Sequence, residues 1–212
     1  MWLRLLPALL FVVLPSLAAA CAAPEPVRLR VSHATFGELG RHTVHFRCDG
    51  DRLIVETRAE IEVRLLVVPV FHRSVRYREV WSGDQLLEFF GETVDRGEER
   101  SVVRARLDGG RMVIEGPRGR IEGPPEVIPS HPWSPLSVER EVMFDVVDGT
   151  LLQVQHQDLG ESQIEIDGEP VRARHFLTTG QIRRELWYAP DGRWLQWRLE
   201  RQGTVTLTRE PS

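Results

Sequence analysis

The sequence predicts an all-β fold: a single curled antiparallel meander sheet, open or closed like a barrel, which a proline-rich segment crosses. Three observations predict it. Glycines beside other turn formers recur about every ten residues. Between them, runs rich in β-branched and aromatic residues alternate apolar and polar side chains, as half-buried strands do. Between residues 117 and 139, six prolines interrupt both patterns.

Turn motifs divide the chain into short strands. Glycine adopts positive φ without strain, and Asp-Gly suits the two-residue hairpin turn. Their regular spacing therefore indicates an antiparallel meander. The nine motifs are CDGDR (48–52), WSGDQ (81–85), LDGGR (107–111), GPRGR (116–120), VDGTL (147–151), IDGEP (166–170), TTGQ (178–181), APDGR (189–193) and RQGT (201–204).

The run AEIEVRLLV shows which face each of its side chains takes. Ile61 and Val63 point to one face and Glu62 to the other, because side chains alternate along a strand. If VPVF (68–71) forms the turn to the run RSVRYREVW, Glu62 lies opposite Arg78 on the solvent face. No sequence repeat links the two halves of the chain, so we expect one β domain over residues 27–210.

The proline-rich segment, residues 117–139, cannot lie inside the sheet. Each proline lacks the backbone N–H that a central strand needs, so the segment must follow an edge or cross an open end. A sheet of this many strands also curls or closes, because twist accumulates between neighbouring strands. Its concave face must be filled by side chains, a crossing segment or a ligand, and this segment is the natural candidate.

The N-terminal residues are typical of an export leader. A basic start at Arg4 precedes an apolar run that two prolines interrupt, and small residues follow. This predicts a signal peptide over residues 1–22. The alternative is a lipoprotein signal over residues 1–20, because LAAAC resembles a bacterial lipobox that ends at the lipidated Cys21. The mature protein is expected in the periplasm or lipid-anchored to the outer membrane, with no transmembrane span after leader removal.

Two cysteines, Cys21 and Cys48, are present. If Cys21 is lipidated or removed, Cys48 has no partner and is expected to be a small buried apolar residue. A Cys21–Cys48 disulfide, which an oxidising compartment permits, is the third alternative.

The stretch IPSHPWSPLS (128–137) contains two candidate site residues. In one interpretation, His131 and Trp133 lie at the mouth of the curled sheet, where Trp133 stacks on a ligand and His131 binds it or accepts a proton. In the other, Trp133 plugs the apolar interior and anchors the loop, while His131 caps a backbone group. We favour the second interpretation.

The densest aromatic cluster is ELWYAPDGRWLQW near the C-terminus. In a hairpin that turns at residues 190–192, Trp187 and Tyr188 point to opposite faces, and so do Trp194 and Trp197. Aromatic side chains on both faces indicate either cross-strand packing or, on one face, an exposed patch that binds a ligand, lipid or partner. Trp187, Tyr188 and Trp194 are therefore candidate ligand-binding residues.

Motifs for catalysis and cofactor binding are lacking. The sequence has no nucleophile elbow, no glycine-rich phosphate loop and no H-E-x-x-H, so we expect no enzymatic activity and no cofactor. His42 and His45 fall on opposite faces of a predicted strand and cannot share an ion, so no metal site is expected. A net charge of −4 with mixed signs argues against nucleic acid as a partner.

Several stretches together carry a resemblance to a known family: GELGRHTVHF, VRYREVW, P-S-H-x-W-x-P, DGTLL–x–V and ELWYAPDGRWLQWRLE. On these, nearly the whole mature chain resembles an uncharacterised family of exported bacterial proteins, domain of unknown function 6134. Members commonly carry asparagine where this chain has Ser134, so no role for that amide transfers. The resemblance implies a β-rich exported domain and no established activity.

The leading hypothesis is a non-catalytic envelope protein that holds an apolar or amphipathic ligand, such as lipid, in the curled sheet. It predicts that Trp133→Ala and Trp194→Ala weaken ligand binding and leave the fold intact. The alternative is an envelope assembly or scaffold protein that binds another protein through the aromatic patch. The third hypothesis is an enzyme on envelope lipid or glycan with His131 as general base.

Overall fold

The computed structural model describes residues 21–65, 68–95, 99–200 and 204–211, and one sheet contains all fifteen of their strands. The predicted all-β fold is confirmed as a single curled sheet that does not close. The predicted leader lies, through Ala20, outside the described residues. Among the described residues, none belongs to a helix with the length and hydropathy that crossing a bilayer requires.

Strands that are consecutive along the chain pair with each other, except β8 and β9, and β1 also pairs with β15, which joins the first strand to the last. The pairs are antiparallel except for β9 and β10. The two edges of the sheet are β8 and β9. The strands are β1 (Val27–His33), β2 (Gly37–Asp49), β3 (Arg52–Leu65), β4 (Val68–Ser82), β5 (Gln85–Asp95), β6 (Glu99–Asp108), β7 (Arg111–Gly116), β8 (Gly119–Gly123), β9 (Ile128–Pro129), β10 (Val142–Phe144), β11 (Leu151–Ile166), β12 (Glu169–Gly180), β13 (Arg184–Tyr188), β14 (Trp194–Glu200) and β15 (Thr204–Arg209).

The proline-rich segment has two parts. Its beginning forms the β7–β8 turn and the edge strand β8, and residues 124–141 then run through the concave face. This second part, called the crossing segment below, contains the short edge strand β9 and a 3-10 turn over Pro135–Val138. The prolines thus occupy turns, loop positions and an edge, where the missing N–H costs no ladder hydrogen bond.

The two ends of the curled sheet touch without forming a ladder. The Ser101 hydroxyl donates to the Val147 carbonyl, and Arg118 lies 3.6 Å from Asp148. At Gly116, a Cβ atom would come within 2.5 Å of the Asp148 carbonyl oxygen, so this approach requires glycine. The curl therefore ends in close packing, which explains how the sheet encloses a core and yet keeps two edges.

Apolar side chains on the inner face form the main core. Its largest fully buried members include Trp194, Phe144 and Met112. A smaller cluster on the outer face contains Trp187 and Leu195. The outer half of the β11–β12 hairpin covers this cluster with Ile164, Ile166 and Val171, and its tip reaches β1, where Arg30 lies 2.5 Å from Asp167.

The β3–β4 register differs from the prediction. β3 ends at Leu65 and β4 begins at Val68, so VPVF is the start of a strand rather than a turn. Glu62 consequently pairs with His72, and Arg78 pairs with Glu56. The expected Glu62–Arg78 pair is wrong because this hairpin lacks a glycine to locate its turn.

Cys21 and Cys48 form a disulfide with a Cα–Cα distance of 5.8 Å. Cys48 is exposed beside the β2–β3 turn, so the expectation of a buried, unpartnered Cys48 is wrong. An exposed position near a hairpin tip offers no apolar contact to a lone thiol but leaves room for the N-terminal segment to reach it. Since one sulfur cannot carry both bonds, lipidation of Cys21 stays a prediction that excludes this disulfide.

Candidate functional site

A buried carboxylate, Glu79, lies at the centre of the curled sheet. It belongs to the inner face of β4, between Tyr77 and Trp81, and it is 0% exposed. The indole N–H groups of Trp81 and Trp133 each donate to its Oε2 at 2.8 Å. His131 Nδ1 lies 3.2 Å from its Oε1. Three donors therefore compensate the carboxylate for the loss of water.

His131 also contacts a second histidine, His42 on β2, with 3.0 Å between their Nε2 atoms. Burial lowers the pKa of His42 well below its ordinary value of 6.5, and His131 adds to the effect. His42 is therefore neutral at neutral pH. Because a carboxylate only accepts, Nδ1 of His131 is the donor to Glu79, and one of the two Nε2 atoms donates to the other.

Aromatic rings enclose this Glu79–His131–His42 chain. The rings of Tyr77 and Trp194 each lie 5.8 Å from that of His131. A carboxylate that orients a histidine is the arrangement of a general base, yet the far nitrogen of His131 faces His42, and its side chain is 2% exposed. What the geometry supports is anchoring: the segment's His131 and Trp133 are held by the sheet's Glu79.

Two further side chains from β13 hold the backbone of the crossing segment. The buried Arg184 donates to the Ser130 carbonyl through Nη1 and lies 3.5 Å from the Ser137 carbonyl through Nη2. Burial lowers its pKa to about 10, so it stays charged at neutral pH. The Tyr188 hydroxyl lies 2.9 Å from the Pro132 carbonyl oxygen. The segment is thus fixed through both its side chains and its carbonyls.

Trp187 lies on the other face, as alternation with Tyr188 predicts. Its ring stacks on His175 at 4.3 Å, and the Arg198 guanidinium lies 5.0 Å from its centre. It is only 4% exposed, because the β11–β12 hairpin covers it. Of the two alternatives for this hairpin, Trp187 therefore takes part in cross-strand packing, with His175, and not in an exposed patch.

Trp194 and Trp197 share the inner core, with ring centroids 6.3 Å apart. The prediction that they point to opposite faces is wrong, because a bulge shifts the β13–β14 register between Trp187 and Tyr188. An extra residue on one strand, here Leu195, reverses the alternation beyond it.

The five candidate ligand-binding residues thus separate into two sets. His131, Trp133, Tyr188 and Trp194 surround or belong to the crossing segment, while Trp187 packs on the outer face. All except the partly buried Trp133 are buried. Loss of Trp133 would also remove one of the three donors to Glu79, so the Trp133→Ala variant tests stability as much as binding.

An open groove of about 740 Å³ lies beside the crossing segment, between the 3-10 turn and strands β12 and β13. Apolar and aromatic side chains form much of its surface, and two arginines lie in its lining. Arg172 donates to Glu161 at 2.8 Å and Arg174 pairs with Asp158, all on the exposed surface. The lining includes the apolar or aromatic residues Pro135, Val138, Phe176 and Tyr188, the arginines Arg172 and Arg174, and the glutamates Glu139 and Glu161.

Sequence reasoning missed Glu79, His42 and Arg184. A signal for each existed: all three occupy inward positions in alternating strands, such as Glu79 between Tyr77 and Trp81. Charged or imidazole side chains at core positions need partners. The partners come from elements distant in sequence, which alternation alone does not bring together. Among the described residues, no three His, Cys, Asp or Glu side chains are arranged so that they could hold a metal ion.

Comparisons with known proteins agree on fold and leave activity open. A family model described as Domain of unknown function (DUF6134) matches residues 37–210. The chain is also similar to the crystal structure of a β-barrel-like protein of domain of unknown function DUF1849 from Brucella abortus. The TM-score is 0.63 at 11% identity, over 90% of this chain and 97% of that one. No curated protein matches.

Proposed function

Since this chain belongs to the DUF6134 family, a family described only as a domain of unknown function, we propose its function from the groove. We propose that it is a non-enzymatic exported protein, periplasmic or lipid-anchored to the outer membrane, that binds an amphipathic ligand such as a single-chain lipid. The groove beside the crossing segment carries this proposal. Its volume of about 740 Å³ falls in the range of roughly 300–1,000 Å³ that is common for small-molecule sites.

The groove's chemistry supports an amphipathic ligand. Phe176 and Val138 offer apolar surface to an acyl chain, and the Arg172 and Arg174 guanidinium groups stand near it. Their ion pairs with Glu161 and Asp158 are exposed to water, where screening weakens such pairs. An anionic headgroup can therefore compete for these arginines.

The interior of the curl supports an external site rather than an enclosed one. His131, Trp133 and Trp194 fill it as packed, hydrogen-bonded core. The ligand is therefore proposed to lie against the crossing segment, which acts as a fixed wall. The alternative is a scaffold protein that binds a partner through an exposed aromatic patch. It is less well supported, since the β11–β12 hairpin covers Trp187.

Titration with a short-chain lysophosphatidylglycerol tests this proposal by calorimetry. We expect Phe176→Ser to weaken binding about tenfold, which corresponds to about 1.4 kcal/mol, because the ligand would bury the part of the ring that the core leaves exposed. Phe90→Ser is the matched control. Phe90 also lies under an arginine, with Arg104 5.3 Å above its ring, as Arg174 lies 5.7 Å above Phe176.

Equal binding by the two variants, or no binding by the unaltered protein, would overturn the proposal. Thermal unfolding of both variants shows whether Phe176→Ser retains the fold. Val138→Glu gives a second test at the other wall of the groove, where a carboxylate should repel the same headgroup and leave a neutral single-chain detergent less affected.

A further inference from the structure

The end of the β3–β4 hairpin pairs with neither of the strands that flank it. The ladder between β2 and β3 ends at Gly40–Ile61, and the ladder between β4 and β5 ends at Arg73–Asp95. Beyond these pairs, β3 and β4 pair with each other alone, through Leu65–Val68. Four residues of strand span about 13 Å, so this end of the hairpin projects by roughly that length past its last pair with a flanking strand.

The end of this projection is apolar on both faces. The sequence from residue 65 to residue 71, LLVVPVF, has seven consecutive apolar residues. We call Val68, Pro69, Val70 and Phe71 the apolar tip. Val68 is 58% exposed and Val70 is 50% exposed. Pro69 is exposed as well, and consecutive residues of a strand face opposite sides.

Basic groups flank the apolar tip. The first formally charged residue on each strand toward the sheet is an arginine, Arg64 on β3 and Arg73 on β4. Arg64 is largely exposed, with 65% of its side chain accessible, and it pairs with Glu62. The guanidinium of Arg73 lies 5.7 Å from the ring centre of Phe71 and donates to both carboxylate oxygens of Asp95. The apolar residues at the end suit the acyl-chain boundary of a bilayer, and the aromatic ring and arginines behind them suit its headgroup region.

We propose that the apolar tip inserts into the surface of a phospholipid bilayer. A bilayer surrounds an inserted hairpin on all sides, which suits apolar side chains on both faces. A protein groove that receives a strand covers one face and favours an amphipathic ribbon. When Phe71 inserts, Arg64 and Arg73 reach the polar headgroup level, where their ion pairs with Glu62 and Asp95 remain hydrated, so burial of apolar surface rather than net charge drives the insertion. This proposal is independent of the groove.

Flotation with vesicles of phosphatidylethanolamine and phosphatidylglycerol tests it. We expect the unaltered protein to float, and Val68→Glu combined with Val70→Glu to reduce the bound fraction at least tenfold. Leu159→Glu is the matched control, because Leu159 is also exposed, at 44%, and lies in β11, seven strands from β3 in the order of the sheet. Its binding should equal that of the unaltered protein, and added salt should change the bound fraction only slightly.

A second readout does not depend on lost binding. Val70→Trp places a fluorophore at the tip, and brominated lipid should quench the added emission when vesicles are present. Failure of the unaltered protein to float, or equal flotation of the double variant, would overturn the proposal. If the protein does not float but Val70 carrying a photo-crosslinker captures one envelope protein reproducibly, the tip is instead a protein-docking element.

Discussion

At the scale of single residues, Glu79 links the sheet to the crossing segment. It accepts hydrogen bonds from Trp81 of its own strand and from His131 and Trp133 of the segment. A buried carboxylate is destabilising without such donors, and the donors are destabilising without the carboxylate. The group therefore specifies where the crossing segment docks more than it adds to the stability of the fold.

Glu79→Leu should lower the free energy of unfolding substantially. Leucine has no acceptor for the indole N–H groups of Trp81 and Trp133, and each buried donor left unpaired costs about 1–3 kcal/mol. Urea unfolding measures the change. Glu88→Leu on the adjacent strand is the control, since Glu88 is 61% exposed and surface substitutions usually stay within about 0.5 kcal/mol. Equal midpoints for the two variants would contradict this role.

At the scale of elements, the crossing segment is held by backbone contacts as well as by side chains. Arg184 and Tyr188 of β13 reach its carbonyls from one side. His156 of β11 lies 2.9 Å from the Arg140 carbonyl near its C-terminal end. Such a proline-rich segment has few backbone donors of its own, so the neighbouring strands supply the donors that its carbonyls need.

Tyr188→Phe should loosen the crossing segment locally. The change removes one hydroxyl donor from buried carbonyls and keeps the ring, so we expect a loss of about 1–2 kcal/mol in stability. Hydrogen exchange should accelerate within residues 130–138 and change little in β3 and β4. Uniform acceleration across the sheet would instead show that Tyr188 supports the whole core.

At the scale of the whole molecule, His42 and His156, which both contact the crossing segment, make the stability of the fold sensitive to acid. Burial lowers the pKa of His42 well below 6.5 and also lowers the pKa of His156. Below pH 6.5 the unfolded chain therefore binds protons at these sites that the folded chain does not. Stability is fully present above pH 6.5 and falls as the pH drops toward the lower folded values.

Urea unfolding between pH 7 and pH 5 should show this loss. Each histidine contributes at most about 1.4 kcal/mol per pH unit, the energy of one pKa unit. His42→Gln should reduce the dependence of the unfolding free energy on pH and leave only the part that His156 contributes. His45→Gln, at an exposed position three residues along the same strand, should retain the slope. A flat profile in the unaltered protein would contradict the buried neutral state of His42.

The sequence predicted the meander because its turns are local. Asp167-Gly168, for example, turns β11 into β12 with positive φ at both residues, which Asp-Gly accommodates. Where glycine was missing, between β3 and β4, the register was wrong. Where a bulge intervened, in β13–β14, Trp194 and Trp197 were assigned to opposite faces although both are in the core.

The site was less predictable than the fold. The sequence identified His131 and Trp133 and favoured their anchoring role, but it could not pair them with Glu79, which lies more than fifty residues earlier. The alternation of apolar and polar residues does not predict the groove either, because the groove depends on how the crossing segment and the β12–β13 pair approach each other. Such contacts follow from the curvature of the sheet rather than from any local pattern.

The disulfide and the apolar tip lie at opposite ends of one strand. Cys48 pairs with Leu53 near the start of β3, while Leu65 ends it, a span of roughly 40 Å at about 3.3 Å per residue. The disulfide and the apolar tip therefore mark two opposite poles of the molecule. A lipid on Cys21 would tether one pole and direct the tip away from that membrane, leaving Cys48 as an exposed thiol. With the disulfide intact, Cys21 carries no lipid, and the apolar tip is the pole that can contact a bilayer.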